Sequence, residues 1–372
     1  MSDATAKFGA PAKVPAWVNL ILIPLVNLLA AFILSGAVIL IVGDDPLQAL
    51  EVLIYGAFGY PDAIGYTLYY TTNFVFTGLA VAIAFHCGLF NIGAEGQALI
   101  GGLGVGLAAL YLDFMPGWMV IPLAIFAAAL FGGFWAYVPA YLQARRGSHI
   151  VITTIMFNFI AASIMTYLLV EILIAPGGQS PESREFAEFT WLPYLHDFLP
   201  FPNTPLNLSF FFALILSGAF YYFMWHTRWG YEIRVTGQNE TAARYAGISP
   251  ARNIILAMVI SGALAGFVGV NEVLGVHHRL ILDFSGGFGF VGIAVALMGR
   301  NHPVGIFLAA LLFGALYQGG SELAFEMKTI NREMVIVIQG LIILFSGALE
   351  HMFRPRIESL FKRRKATATA EA

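Results

Sequence analysis

Phe90-Asn91-Ile92-Gly93-Ala94-Glu95-Gly96-Gln97, at positions 90–97, sets a carboxylate, two amides and a cluster of small residues between two long apolar stretches. A charged group costs about 3 kcal/mol or more at the centre of a bilayer, so one that persists there usually faces a cavity or a pathway. Glycine-rich interruptions of membrane helices likewise sit where backbone lines a site. The stretch therefore points to a membrane transport protein.

The composition agrees. Of 372 residues, 59% are hydrophobic and 11% charged, and mean hydropathy is +0.77. Soluble domains carry about 25% charged residues, which leaves an integral membrane protein. The formal net charge of −3 gives no basis for nucleic-acid binding. A single cysteine, Cys87, excludes an internal disulfide and reads as a small buried apolar residue. The first apolar run, 17–42, is longer than the roughly 7–15-residue core of a cleavable signal, so it reads as a retained first helix.

Apolar windows near the spanning length recur at 17–42, 67–87, 93–112, 117–142, 150–174, 208–226, 253–275, 284–299, 303–320 and 333–349. The expectation is an all-α integral membrane protein of about ten transmembrane helices, some of them interrupted, with both termini cytoplasmic. With that count the basic clusters (Lys7 and Lys13, Arg145-Arg146, 228–252, Arg300, 354–365) all fall on one side, as the positive-inside rule requires. The opposite loops, 43–66 and 175–207, hold eight carboxylates against Arg184 alone, with Arg279 and Arg332 as exceptions on short outer turns. The layout is then a cytoplasmic segment 1–16, a transmembrane domain 17–352 and a basic, disordered cytoplasmic tail 353–372. Within the domain, 46–58 reads as an interfacial helix with Leu47, Leu50, Leu53 and Ile54 on one face. The loop 176–207, rich in proline and aromatics, lies outside.

No glycine precedes any of the five lysines, so there is no phosphate-binding loop, and no metalloprotease or hydrolase motif occurs. No cofactor or metal is expected. Energy for transport must come from another polypeptide or an ion gradient. On the inner side, Asn239 is placed to cap a short helix through Ala242, Ala243, Arg244 and Tyr245, with Gly247 to end it and Pro250 beyond. That helix is either a plain connection or a docking element for a cytoplasmic partner.

FNIGAEGQ at 90–97, TTIMFNFIA at 153–161, GQNETAARYAGIS at 237–249 and GGFGFVGIAVALMGRNHPVG at 286–305 resemble the permease subunits of bacterial ABC importers. They are most similar to the nucleoside and simple-sugar branch of the group that also carries branched-chain amino acids, over about residues 45–350. The resemblance implies two permease subunits, often different, two ATPase subunits docked below, and an external solute-binding protein or lipoprotein. It makes 237–249 the coupling helix, with Gly237, Asn239, Ala242, Ala243, Arg244, Tyr245 and Gly247 toward the ATPase.

The polar groups at depth are open to two readings each. Glu95, with Asn91 and Gln97, lines a translocation path or fixes a kink by hydrogen bonds. Asn158, flanked by Phe157 and Phe159, meets a ribose and a stacked base or bonds a neighbouring helix. Thr153 and Thr154 satisfy carbonyls one turn back. Asn271-Glu272 form an outer gate or an interfacial pair, and Phe288 and Phe290 offer a stacking face or lipid packing. Arg300 is a positive-inside anchor. Three functions follow: an ABC importer permease for nucleosides, simple sugars or another small solute; an ion-coupled carrier, for which Glu95 and Glu272 are the only acidic candidates; and a non-transporting scaffold. The first accounts for the interrupted spans and the inner helix together.

Overall fold

Uncharged apolar runs leave the backbone to satisfy its own N–H and C=O groups, and a helix does so within one segment. In the computed structural model, which describes residues 22–327, 330 and 334–341, helix dominates and no strand beyond isolated bridges occurs among the described residues. The helices are α1 (Ile23–Val42), α2 (Pro46–Phe58), α3 (Pro61–His86), α4 (Ala94–Tyr111), α5 (Gly117–Arg146), α6 (Ile150–Tyr167), α7 (Ser209–His226), α8 (Arg228–Gln238), α9 (Glu240–Tyr245), α10 (Pro250–Gly266), α11 (Phe288–Met298) and α12 (Pro303–Glu326). Two π-helical turns extend them, Leu168–Ile172 after α6 and Val270–His277 after α10.

The described residues fall into two compact units, 52–322 and the stretches on either side of it. In the latter, α1 closes on Gly43 in the left-handed conformation, φ 98°. In the former, α3 is the central helix, buried almost continuously from Thr71 to Ala84.

Six of these helices are long and apolar enough to cross a membrane, or seven if α1 and α2 form one bent span. The protein is thus a multi-pass helical membrane protein, and among the described residues the full-length spans number fewer than the ten windows. The differences are local. Glycine, Glu95 and Gln97 dilute α4, which has only 18 residues. The window 284–299 yields an eleven-residue helix, because Gly286 and Gly287 sit at φ 50° and 83° and delay its start. Residues 17–21 of the first window and 333 and 342–349 of the last lie outside the described residues, as do Arg332, the segment 1–16 and the tail 353–372. The 46–58 stretch is helical, but its leucines divide: Leu47 is exposed and Leu53 is buried.

The 176–207 loop is held by short bridges, Ile174 to Ser183, Glu182 to Ile281 and Tyr194 to Asn207. It closes over the end of the second π-turn, where the Trp191 ring stacks on His278 at 3.9 Å. Tyr194 Oη and His278 Nε2 are 2.7 Å apart. Burial lowers the His278 pKa, so the ring is held neutral in this packing.

α4, α5 and α10 pack backbone to backbone. α5 places Ala124, Ala128, Gly132 and Ala136 at every fourth position, all buried. A Cβ on Gly132 would strike the Gly262 carbonyl, and one on Gly266 would strike that of Ala128. Gly101 meets Gly266, and Gly102 meets Gly269, with the same lack of room. In a medium as apolar as leucine, such close approach supplies the packing that holds helices together. Replacing Gly132 by Leu should destabilise the protein by at least about 1–3 kcal/mol, read as a lower thermal unfolding midpoint in detergent. Gly218→Leu, at a glycine with open space around it, should leave that midpoint unchanged.

Candidate functional site

Two helices begin in the interior, and their N-termini meet. After α3 ends, residues 87–93 run without helix until α4 starts at Ala94. α11 likewise starts late, at Phe288. The first N–H groups of a helix have no partner within it and carry its positive dipole end. Glu95, 6% exposed, supplies that partner. Its Oε1 accepts from Ser285 Oγ at 2.5 Å and from the Gly287 N–H at 3.0 Å, and its Oε2 accepts from the Gly289 N–H at 2.8 Å. Three bonds to a charged acceptor, about 1.5–3 kcal/mol each, outweigh the roughly 3 kcal/mol of placing a carboxylate at depth. Gly289 permits this approach, since a Cβ there would strike the backbone of Ala94 and Glu95.

Amides hold the rest of the break. Asn91 Oδ1 accepts from the Gly93 N–H at 2.9 Å, while its Nδ2 donates to Gln97 Oε1 at 3.0 Å and Ser261 Oγ at 2.8 Å. Ser261 Oγ in turn donates to the Ala80 carbonyl at 2.5 Å, joining α10 to α3. From α6, Asn158 Oδ1 accepts from the Gly96 N–H and its Nδ2 donates to the Ile92 carbonyl, both at 2.9 Å. Asn91, Gln97 and Asn158 are all buried. Each of the polar side chains that the sequence singled out here, Asn91, Glu95, Gln97 and Asn158, has a hydrogen-bond partner within the protein. Phe157 packs on Trp135 at 5.1 Å, and Phe290 is 48% exposed on the far side of α11 from buried Phe288. Thr153 and Thr154 bond carbonyls three and four residues back.

A second polar cluster surrounds Asn271 and Glu272. The π-turn that carries them inserts both side chains between α3 and the start of α7. Glu272 accepts from Tyr69 Oη at 2.6 and 2.7 Å and from Asn73 Nδ2 at 2.5 Å, with His277 Nε2 at 3.5 Å. Asn271 Oδ1 accepts from Ser209 Oγ at 2.7 Å and Asn207 Nδ2 at 2.9 Å, and its Nδ2 donates to Asn73 Oδ1 at 3.0 Å. Far from an interfacial pair, both are buried to within 2%. The sequence reading missed Tyr69, Asn73, Asn207, Ser209, Ser261 and Ser285; Asn73 in an apolar window was the one available signal.

Helix α9 forms as its local rules require. Asn239 is extended at φ −162°, and its Oδ1 accepts from the Ala242 N–H at 3.0 Å. Gly247, at φ 76°, closes the turn, with the Ile248 N–H bonded to the Ala243 carbonyl at 2.9 Å. Tyr245 is 90% exposed, and Ala242, Arg244 and Gly247 are exposed beside it. Ala243 is different: it is fully buried within this chain, so it anchors α9 rather than presenting it. Gly237 is likewise an internal contact, abutting the backbone of His86, Cys87 and Gly88. The helix α8 ahead of it was not anticipated. Thr227 Oγ1 caps it by accepting from the Gly230 N–H at 3.1 Å, and Thr236 Oγ1 accepts from Asn253 of α10 at 2.9 Å. Among the described residues no group of acidic, histidine or cysteine side chains could hold a metal ion.

Comparison with known proteins bears on this arrangement. A family model described as branched-chain amino acid transport system / permease component matches residues 63–347. The chain is 35% identical to the guanosine ABC transporter permease protein NupP of Bacillus subtilis, over 87% of this chain and 92% of that one. It is 34% identical to the glucose ABC transporter permease protein TsgB13 of Haloferax volcanii, covering 96% and 95%. It is also 34% identical to the nucleoside ABC transporter permease protein NupB of Lactococcus lactis subsp. cremoris, covering 95% and 96%. No solved structure matches. With the matched residues spanning both polar clusters and α9, the chain belongs to the family of permease components of the branched-chain amino acid transport system type.

Proposed function

We propose that this chain is the membrane subunit of a bacterial inner-membrane ABC importer that moves nucleosides, with simple sugars as the second substrate class. The observation that carries the reading is end-to-end similarity to permeases named for guanosine, nucleosides and glucose. The exposed, capped α9 supports it, because a partner ATPase needs a rigid projection to push against. In this reading the chain itself makes ten crossings with both termini in the cytoplasm, and its assembly adds two ATPase subunits below, a second permease that is a paralogue of this chain, and an external binding protein or lipoprotein. Transport proceeds by alternating access, with α9 carrying the ATPase movement into the membrane domain. The break at 90–97 is a scaffold in this scheme, fixing two interrupted helices so that they move as one piece. The ion-coupled alternative is weaker, since Glu95 and Glu272 are both engaged by protein donors.

Reconstitution in proteoliposomes with the ATPases and binding protein tests the reading: ATP-dependent nucleoside uptake is expected, and its absence for both nucleosides and sugars would sink it. The purified single chain should hydrolyse no ATP. The double variant Tyr245→Ala, Gly247→Ala should cut uptake by about tenfold or more while the binding protein still binds substrate; normal uptake would count against α9 as the docking element. Glu95→Gln presents an amide N–H to one of three donors, so it should cost about 1–3 kcal/mol of stability, seen as a lower unfolding midpoint. An unchanged midpoint would remove the scaffold role from Glu95.

A further inference from the structure

Four rings and a guanidinium meet outside both polar clusters, at the end of the 52–322 unit that carries α9. Trp225, in the last turn of α7, is the hub. Tyr221 stacks beside it at 5.4 Å and 23°, and the His86 ring at the end of α3 meets it edge-on at 5.4 Å. The His302 ring, from the turn before α12, lies at 5.3 Å. From α8, the Arg234 guanidinium carbon sits 5.8 Å from the indole centre. Both imidazoles are tied to backbone. His86 Nε2 donates to the Asn301 carbonyl at 3.0 Å, and His302 Nδ1 accepts from the Val304 N–H at 3.3 Å. The neutral His302 ring therefore carries its proton on Nε2, as a donor.

Arg234 lacks a counter-ion. The two carboxylates of the α8–α9 hairpin are taken by arginines one turn away, Glu232 by Arg228 at 2.7 Å and Glu240 by Arg244 at 3.8 Å. Among the described residues no carboxylate pairs with Arg234, and its Nε is buried without a hydrogen-bond partner. A ring face repays only part of the cost of desolvating a cation. The planar fork of arginine matches a carboxylate or a phosphate. The anion that completes it comes from outside this chain.

Depth in the membrane selects that anion. α7 is a span, and α8 follows it after a single residue. α8 buries Gly230, Ile233 and Thr236 and turns out Trp229 and Tyr231, both more than half exposed. Tyr222, one turn before the end of α7, is exposed too, as are Tyr137 and Tyr141 near the matching end of α5. Tyrosine and tryptophan gather at headgroup depth, where a short helix with one apolar face lies along the interface. The anion at that depth is lipid phosphate.

We propose that Arg234, Trp225 and His302 form a binding site for the phosphate of an anionic phospholipid at the α7–α8 corner. The guanidinium supplies the charge and the fork, His302 a second donor, and Trp225 the ring that holds the guanidinium in place. Because α8 leads directly into α9, a bound headgroup steadies the base from which α9 projects. The site stands whichever solute is carried.

The test is the thermal unfolding midpoint of the purified chain in detergent, titrated separately with dioleoylphosphatidylglycerol, dioleoylphosphatidylcholine and inorganic phosphate. Phosphatidylglycerol should raise the wild-type midpoint most, and Arg234→Gln should weaken its apparent affinity about tenfold. Only the change made by lipid is read, so a variant that starts from a lower midpoint still reports. Arg234→Lys keeps the charge without the fork, and a loss of about threefold is expected. It carries the comparison if the glutamine variant does not purify. Arg145→Gln removes an exposed charge from the same end of the molecule and should respond as wild type does. Equal responses from wild type and Arg234→Gln, including none from either, would overturn the site. So would an equal loss in Arg145→Gln, which would make the effect one of net surface charge. A matching rise with inorganic phosphate alone would replace the lipid by a free anion. If phosphatidylglycerol has no effect and Arg234→Gln instead stops ATPase subunits from binding in lipid-free detergent, the counter-ion is a partner's carboxylate and the inference falls.

Discussion

The structure depends on a carboxylate in the first turn of one helix satisfying the free end of another. A helix that begins inside an apolar medium exposes backbone donors with no water to take them. α4 and α11 both begin this way, and Glu95 sits where their first turns touch, accepting from Ser285, Gly287 and Gly289. The buried carboxylate and the unfinished helix end would each be costly alone. Placed together they cancel, and they fix the break in a single geometry.

That geometry needs close packing around it. Gly289 admits the backbone of residues 94–95, and Gly96 lies against Asn158, whose amide closes the turn from α6. Further along the same helices, the alanine and glycine rows of α5 and α10 remove the remaining distance. Small residues and polar groups thus divide the labour. The first bring backbones within reach, and the second spend the resulting contacts on hydrogen bonds that keep the helices in register. The π-turn at Val270–His277 repeats the arrangement, with Asn271 and Glu272 as the inserted groups.

Much of this was readable in the sequence wherever the signal was local. Glu95 among glycines marked the break, and Asn239 with Gly247 marked both ends of α9, because caps act within a few residues. What the sequence hid was long-range. Ser285 and Ser261 look like ordinary small residues in apolar windows, and their partners lie 190 and 170 residues away. The hydropathy of 284–299 gave a full span, since glycine scores as neutral there although Gly286 and Gly287 prevent helix. Ala243 and Gly237 match the coupling motif but face inward, because a motif records which residues recur and not which side they occupy. The π-turn has no residue signature, so the inward rotation of Glu272 could not be foreseen.

The contact between Gly237 and Gly88 carries a mechanical consequence. Side chains between two moving parts act as cushions, because rotamers shift before backbones do. Here α8 rests on the end of α3 with main chain against main chain, and neither residue has a side chain to yield. A displacement of the α8–α9 hairpin would therefore meet the end of the central helix backbone to backbone, with no rotamer between them to absorb it.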